Sequence, residues 1–286
     1  MLMAFFTKDG RLCRDAVKRQ VEAAVAVGAS GVAVLGLGQE AIKLGREERR
    51  AVIEWAISDA AGRRPVAVTL GETNLPDMIE MARFAERAGA GWIILQPPRP
   101  PASGADIIAF FGAIADAVSV PVGIQNAPEF LGIGLTPDEL VALNRAHPNV
   151  SVVKAESAAV TVGELVDRLE GRMAVFNGRA GLELVDNYRA GAVGMIPGFD
   201  TIDLQVMVEQ AMARGDEAVA EAAYQRLLPS VAFIMQTLPL YLTYGKLIAA
   251  ARLGLDPGPQ RGPAHAPTPR GIAWAKRFAD ALGPLP

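Results

Sequence analysis

From residue 20 onward, short apolar runs rich in Val and Ile alternate with longer stretches in which apolar positions recur at helical spacing and stop at Gly or Pro. The runs at 31–36 (GVAVLG), 65–71 (PVAVTLG), 92–97 (WIILQP), 121–126 (PVGIQN), 150–155 (VSVVKA), 173–178 (MAVFNG) and 192–197 (AVGMIP) predict strands, and 2–6 predicts an eighth. Helices are predicted between them over 14–28, 46–62, 74–89, 104–117, 137–146, 161–170, 182–190 and 201–215. Thr136-Pro137-Asp138-Glu139 opens the fifth with an N-cap signal, and Gly28, Gly89 and Gly191 close theirs. Several strands are apolar on both faces, as a parallel sheet covered by helices requires. Eight β-α units with no break in composition predict one closed α/β domain, a (β/α)8 TIM barrel over 1–215. A doubly wound open sheet is the alternative. Its dinucleotide form would need a Gly-rich fingerprint, and GLGQE at 36–40 carries only G-x-G and reads as a turn.

After residue 216 the pattern becomes helical throughout, over 217–235, 238–253 and 268–281, with a Pro/Gly-rich loop at 256–269. A last helix of this length does not fold alone, so 216–286 is expected to be a helical extension packed on the barrel.

Composition narrows the possibilities by exclusion. The 286 residues are 51% apolar and 21% charged with a net charge of −3, which excludes disorder and a strongly basic nucleic-acid binder. No window of about 18 residues is apolar without a charge, Gly or Pro, so no membrane partner is expected. The start lacks the pattern of a signal peptide, and with Cys13 the only cysteine the expected compartment is the cytoplasm. One cysteine and two histidines, His147 and His265, leave no basis for a Cys- or His-rich metal centre. The 28 cations divide into 22 Arg and six Lys.

In a barrel the chemistry sits at the C-terminal ends of the strands. Polar residues there are Gln39, Glu40, Thr69, Glu72, Gln96, Gln125, Asn126, Lys154, Glu156, Asn177 and Arg179. Lys154 carries the most information, because it ends the buried-looking run Val-Ser-Val-Val and the other five lysines fall in helix or loop contexts. Burial disfavours the ammonium, and a neutral amine can attack a ketone to form a Schiff base. A lysine that pairs with Glu156 or snorkels at the strand end is the structural alternative. Strand alternation places Lys154 and Glu156 on one face, which makes Glu156 a candidate acid/base, with a capping role as the alternative. Glu40 is expected to brace its loop, Arg179 either clamps a distal carboxylate or phosphate or lies on the surface, and Asn177 could meet a substrate hydroxyl. His147, at the opposite face, and Cys13 are expected to be structural.

The order and spacing of GLGQEAIKL (36–44), PVGIQNAP (121–128), VSVVKAES (150–157), VFNGRAG (175–181) and GAVGMIPG (191–198), with AFFTKDG at 4–10, resemble the dihydrodipicolinate synthase/N-acetylneuraminate lyase family of Schiff-base enzymes. The resemblance covers essentially the whole chain. It implies that Lys154 forms an imine with a pyruvate-type 2-keto acid, without cofactor or metal, in a homo-oligomer, tetramer or dimer. It also implies substrate contacts from Gly38, Gln39, Asn177, Arg179 and Ile196. The departures are informative. The family's Thr pair after the second strand is Leu37-Gly38, its Tyr-Asn on the fifth is Gln125-Asn126, its tyrosine pair after the fourth is Pro97-Pro98, and the synthase arginine falls at Phe130.

These losses argue against condensation of pyruvate with aspartate semialdehyde. The Gln-Asn-Ala-Pro form and Met195-Ile196-Pro197 are similar to the branch that dehydrates 2-keto-3-deoxy sugar acids. The expected activity is therefore dehydration or aldol cleavage of such an acid through Lys154, with Gln125 orienting water or hydroxyls and Glu156 moving protons. Dihydrodipicolinate synthase is one alternative and a non-catalytic 2-keto-acid-binding homologue another. A barrel working by general acid/base catalysis alone is a third.

Overall fold

The computed structural model describes residues 1–98 and 102–286. Seven strands form one parallel sheet in sequence order: β1 (Val32–Val34), β2 (Val66–Leu70), β3 (Trp92–Leu95), β4 (Val122–Gln125), β5 (Val150–Lys154), β6 (Ala174–Asn177) and β7 (Gly194–Met195). The helix α1 (Arg14–Ala26) precedes them, and α2 (Arg46–Ala60), α3 (Leu75–Ala88), α4 (Gly104–Ala115), α5 (Pro128–Leu131), α6 (Pro137–Ala146), α7 (Ala159–Leu169), α8 (Leu184–Arg189) and α9 (Ile202–Ala213) lie between and after them. β2 is buried along its whole length and β3 along all but Trp92, which accounts for their unbroken apolar runs.

Helix starts follow local chemistry. Thr136 accepts from the Glu139 N–H while Glu139 accepts from the Thr136 N–H, closing the expected capping box of α6. Gly89 takes φ of 102° at the end of α3, a conformation that side chains resist.

The sequence reading of a closed eight-stranded barrel is corrected at 2–6. This segment is buried but joins no ladder. The reason is competition for its backbone groups. Gln20, fully buried on α1, accepts from the Met3 N–H at 2.7 Å and donates to the Met3 carbonyl at 3.0 Å, while the Phe5 carbonyl accepts from the Cys13 N–H. What remains is a bond from the Leu2 N–H to the Ala33 carbonyl and one antiparallel bridge between Phe6 and Leu12. The Met1 amino group meets the Pro197 carbonyl, so residues 1–2 touch both edges of the sheet, which is curled toward closure.

Beyond α9 come α10 (Glu217–Ile234), α11 (Leu238–Leu240), α12 (Lys246–Leu253) and α13 (Pro269–Leu282). The continuous helix predicted over 238–253 is interrupted by a π-helical turn at Tyr241–Gly245, and the chain bends by 111° between α10 and the segment that follows. Among the described residues no single helix is long and apolar enough to cross a membrane.

Arg252 of α12 locks this segment onto the sheet's last loop. Its guanidinium, fully buried, donates to both Asp203 carboxylate oxygens at 2.9 and 2.7 Å, to the Asp200 carbonyl at 2.6 Å and to the Gly283 carbonyl at 2.7 Å. Arg252→Met leaves these acceptors without their donor, and a loss of about 3–5 kcal/mol is expected. Equilibrium denaturation with urea measures it.

Candidate active site

Lys154 is the last residue of β5, paired in register with Gln125 of β4 and Phe176 of β6. The register therefore sets the amine beside Gln125. Its side chain is almost wholly buried, and desolvation lowers its pKa from 10.5 to about 7.

Glu156 meets Lys154 as expected, by a route that strand alternation does not describe. The strand has ended at Lys154, and Glu156 takes a left-handed backbone, φ 47°, that swings its carboxylate back onto the amine. Gly178, after β6, makes room for the turn, since a Cβ there would stand 2.9 Å from Glu156 Cγ. Gln125 Nε2 donates to Glu156 Oε1 at 3.1 Å, and Gln96 Nε2 donates to Gln125 Oε1 at 3.0 Å. Three strand ends thus supply one hydrogen-bonded chain that finishes on the carboxylate and the amine.

Among the described residues, six of the eight non-glycine residues with positive φ lie in the loops after β1, β5 and β6: Leu35, Glu40, Glu156, Arg179, Ala180 and Glu183. Backbone strain is concentrated where the pocket is built.

Gly38, Arg179 and Ile196 line the pocket that Lys154 and Glu156 face, and so does Phe130 of α5. Arg179 is held by Glu183 at 2.9 Å. Gln39, Gln125 and Asn177 are not brought into this lining; Gln125 stands behind Glu156, to which it donates. Gln39 is buried with its Oε1 turned to the Leu35 N–H at 2.6 Å. Asn177 is spent on the loops after β5 and β6, donating to the Ser157 carbonyl and to Asn187 Oδ1 and accepting from the Ser157 and Gly178 N–H groups.

Glu40 braces its loop, as expected, through buried pairs with Lys43 at 2.6 Å and with Lys246. Lys246 is a second buried amine that the sequence reading treated as an ordinary helical lysine. Burial lowers its pKa while Glu40 raises it, and Phe6 lies 5.5 Å from the ammonium. His147 pairs with Asp116 at 2.7 Å, away from the pocket lining.

Two groups were missed. Tyr241, on the π turn, lines the pocket with Lys154, and Asp200 lies fully buried in the short turn Phe199–Thr201 after β7. Burial, with Asp200 nearby, holds the Tyr241 phenol well above its ordinary pKa, and burial pushes Asp200 up to about 7. The only signal for Tyr241 was a scarce aromatic in an apolar helical stretch opened by Thr237 and Pro239.

The family model of the dihydrodipicolinate synthetase family matches residues 1–268. YagE of Escherichia coli K12, described as a putative 2-dehydro-3-deoxy-D-gluconate aldolase, is 31% identical over 78% of this chain and 76% of that protein. A 4-hydroxy-tetrahydrodipicolinate synthase of Agrobacterium fabrum is also 31% identical, over 80% and 79%. Among solved structures, YagE in complex with pyruvate superposes with a TM-score of 0.91 at 26% identity over 98% of this chain and 96% of that one. A putative dihydrodipicolinate synthetase from Pseudomonas aeruginosa gives 0.91 and 26% over 98% and 97%. A family match over nearly the whole chain, together with relatives of this coverage, places the protein in the dihydrodipicolinate synthetase family of lyases.

Proposed function

We propose that the chain is a Schiff-base lyase that dehydrates or cleaves a 2-keto-3-deoxy sugar acid through Lys154, within a (β/α)8-type barrel over 1–215 extended by helices over 216–286. The observation that carries this reading is the buried amine at the end of β5, held against Glu156 with a pKa near 7. At neutral pH a large share of such an amine is neutral and able to add to the keto carbon. Loss of water then gives the imine, whose cationic nitrogen draws electrons from C3.

Glu156 stands where it can take the C3 proton, giving an enamine. In dehydration the enamine pair expels the C4 hydroxyl, which leaves as water once protonated; in aldol cleavage the C3 proton stays, a base takes the C4 hydroxyl proton, C4 leaves as an aldehyde, and the C3–C4 pair flows into the iminium to give the enamine, which is then protonated at C3. Gln125, fixed between Gln96 and Glu156, orients the Glu156 carboxylate and, through it, a substrate hydroxyl or water. Gly38 and Ile196 wall the pocket. Arg179 is available to a polar group farther along the substrate. The similarity to YagE supports an aldol-type substrate, while Pro97, Pro98 and Phe130 at the synthase's tyrosine and arginine positions weigh against aspartate semialdehyde.

Borohydride added with pyruvate is expected to reduce the imine and add mass to the peptide containing Lys154, and Lys154→Ala is expected to abolish both the adduct and turnover. An unlabelled Lys154, or a Lys154→Ala variant that still turns substrate over, defeats the mechanism. The labelling rate follows the neutral amine. With the folded pKa lowered to about 7, the rate rises as pH climbs toward 7 and levels above it, whereas an ordinary lysine would keep gaining toward 10.5. A coupled assay with pyruvate and aspartate semialdehyde separates the synthase reading. Imine trapping without product across a panel of 2-keto-3-deoxy acids would mark a binding homologue. A homo-oligomer, tetramer or dimer, is expected by light scattering.

A further inference from the structure

The steps above use Lys154, Glu156, Gln125 and Arg179 and leave much of the pocket wall without a role. The lining changes character with depth. Lys154, Glu156, Ile196 and Tyr241 are buried and form the floor. Leu37, Met235 and Leu238 are half-buried and Phe130 is 38% exposed, so these four side chains stand toward the mouth. All four are apolar. Arg179, also half-buried, is the one charged side chain of the lining at that level among the described residues, and Glu183 balances it at 2.9 Å. The Met1 amino group in the same lining donates to the Pro197 carbonyl at 2.9 Å.

Three separate parts of the chain supply this apolar mouth. Leu37 comes from the turn after β1, Phe130 from α5, and Met235 and Leu238 from the bend between α10 and α11. Among the described residues Phe130 is not one of the apolar side chains packed on the core, so its ring is left to water. Apolar surface held in water around the opening of a concave site is surface that a ligand can cover. An aryl or branched alkyl group placed there exchanges water for carbon on several sides at once.

We propose a further activity for the same site: aldol cleavage of 4-hydroxy-2-keto acids that carry an aryl or branched alkyl group on C4, giving pyruvate and an apolar aldehyde. It rests on the reading of Lys154 as the imine-forming residue and adds a class of substrate to it. The Lys154 amine condenses with the keto carbon and water leaves. Glu156, the carboxylate of the lining, takes the proton of the C4 hydroxyl. The C3–C4 bond breaks, its electron pair moves into the iminium, and C4 departs as the aldehyde. The enamine is protonated at C3, and water then releases pyruvate from Lys154. Leu37, Phe130, Met235 and Leu238 hold the apolar group on C4 through these steps.

The test follows pyruvate release, coupled to lactate dehydrogenase, from 4-hydroxy-4-phenyl-2-oxobutanoate and from 4-hydroxy-2-oxopentanoate, which carries only a methyl group on C4. The full-length protein is expected to cleave the phenyl acid. In Phe130→Ser and in Leu238→Ser the ratio of the phenyl to the methyl kcat/KM is expected to fall about 10- to 100-fold, as for loss of apolar contacts in a specificity pocket. The intrinsic reactivity of the two acids cancels when that ratio is compared between proteins. Phe130→Leu, which keeps an apolar side chain, should hold the ratio within about threefold of the parent. Trapping of pyruvate on Lys154 without any cleavage of the phenyl acid overturns the proposal, as does an equal fall for both acids in the serine variants. A protein that traps no pyruvate fails earlier, at the imine, and overturns the reading of Lys154 together with this one.

Discussion

An ammonium at the end of a buried parallel strand loses hydration that neighbouring backbone cannot restore, and the architecture around Lys154 answers that loss. The register of β4 and β5 brings Gln125 alongside, the left-handed turn at Glu156 returns a carboxylate to the amine, and Gly178 leaves the space that turn needs. Among the described residues Glu156 is the group that meets the nitrogen, and Gln125 and Gly178 act on it through that carboxylate. The chain Gln96–Gln125–Glu156 also fixes which carboxylate oxygen faces Lys154, because Gln125 has its oxygen committed to Gln96 and its nitrogen free for Glu156.

The comparison with Lys246 makes the point sharper. Both amines are buried, but Lys246 shares Glu40 with Lys43 and faces the Phe6 ring, so its pKa is lowered by burial and raised again by the carboxylate. It braces the loop after β1 from outside the pocket lining. Lys154 lies in the lining, where a ligand can meet it. Burial alone does not mark a reactive amine; burial beside an open pocket does.

The sheet and the helices that cover it were legible because period and punctuation agree: apolar strands, capped helix starts and glycine ends all point to the same elements. Lys154 was legible for a related reason, as the one lysine ending an apolar strand. The failures are of another kind. Segment 2–6 has the composition of a strand, but Gln20, distant in sequence, takes the Met3 backbone groups that a ladder would need. Gln39 and Asn177 have the right chemistry at strand ends, but Asn177 is consumed by the loops after β5 and β6, and Gln39 is turned inward with only its oxygen engaged, to the Leu35 N–H of its own loop. Tyr241 was hidden because a π turn inside a helical pattern has no periodic signature, so nothing local says which way its ring turns.

The bend between α10 and α12 has a consequence for how such a pocket can change over evolutionary time. Lys154 and its supporting amides belong to the sheet, where altering one residue disturbs the packing of several strands. Tyr241 hangs from a segment tied to the sheet's loops by Arg252, on the turn after β7, and by Lys246, on Glu40. Drift in the helical segment can therefore reshape one wall of the pocket while the amine and its carboxylate keep their places, so the two halves of the site are free to diverge at different rates.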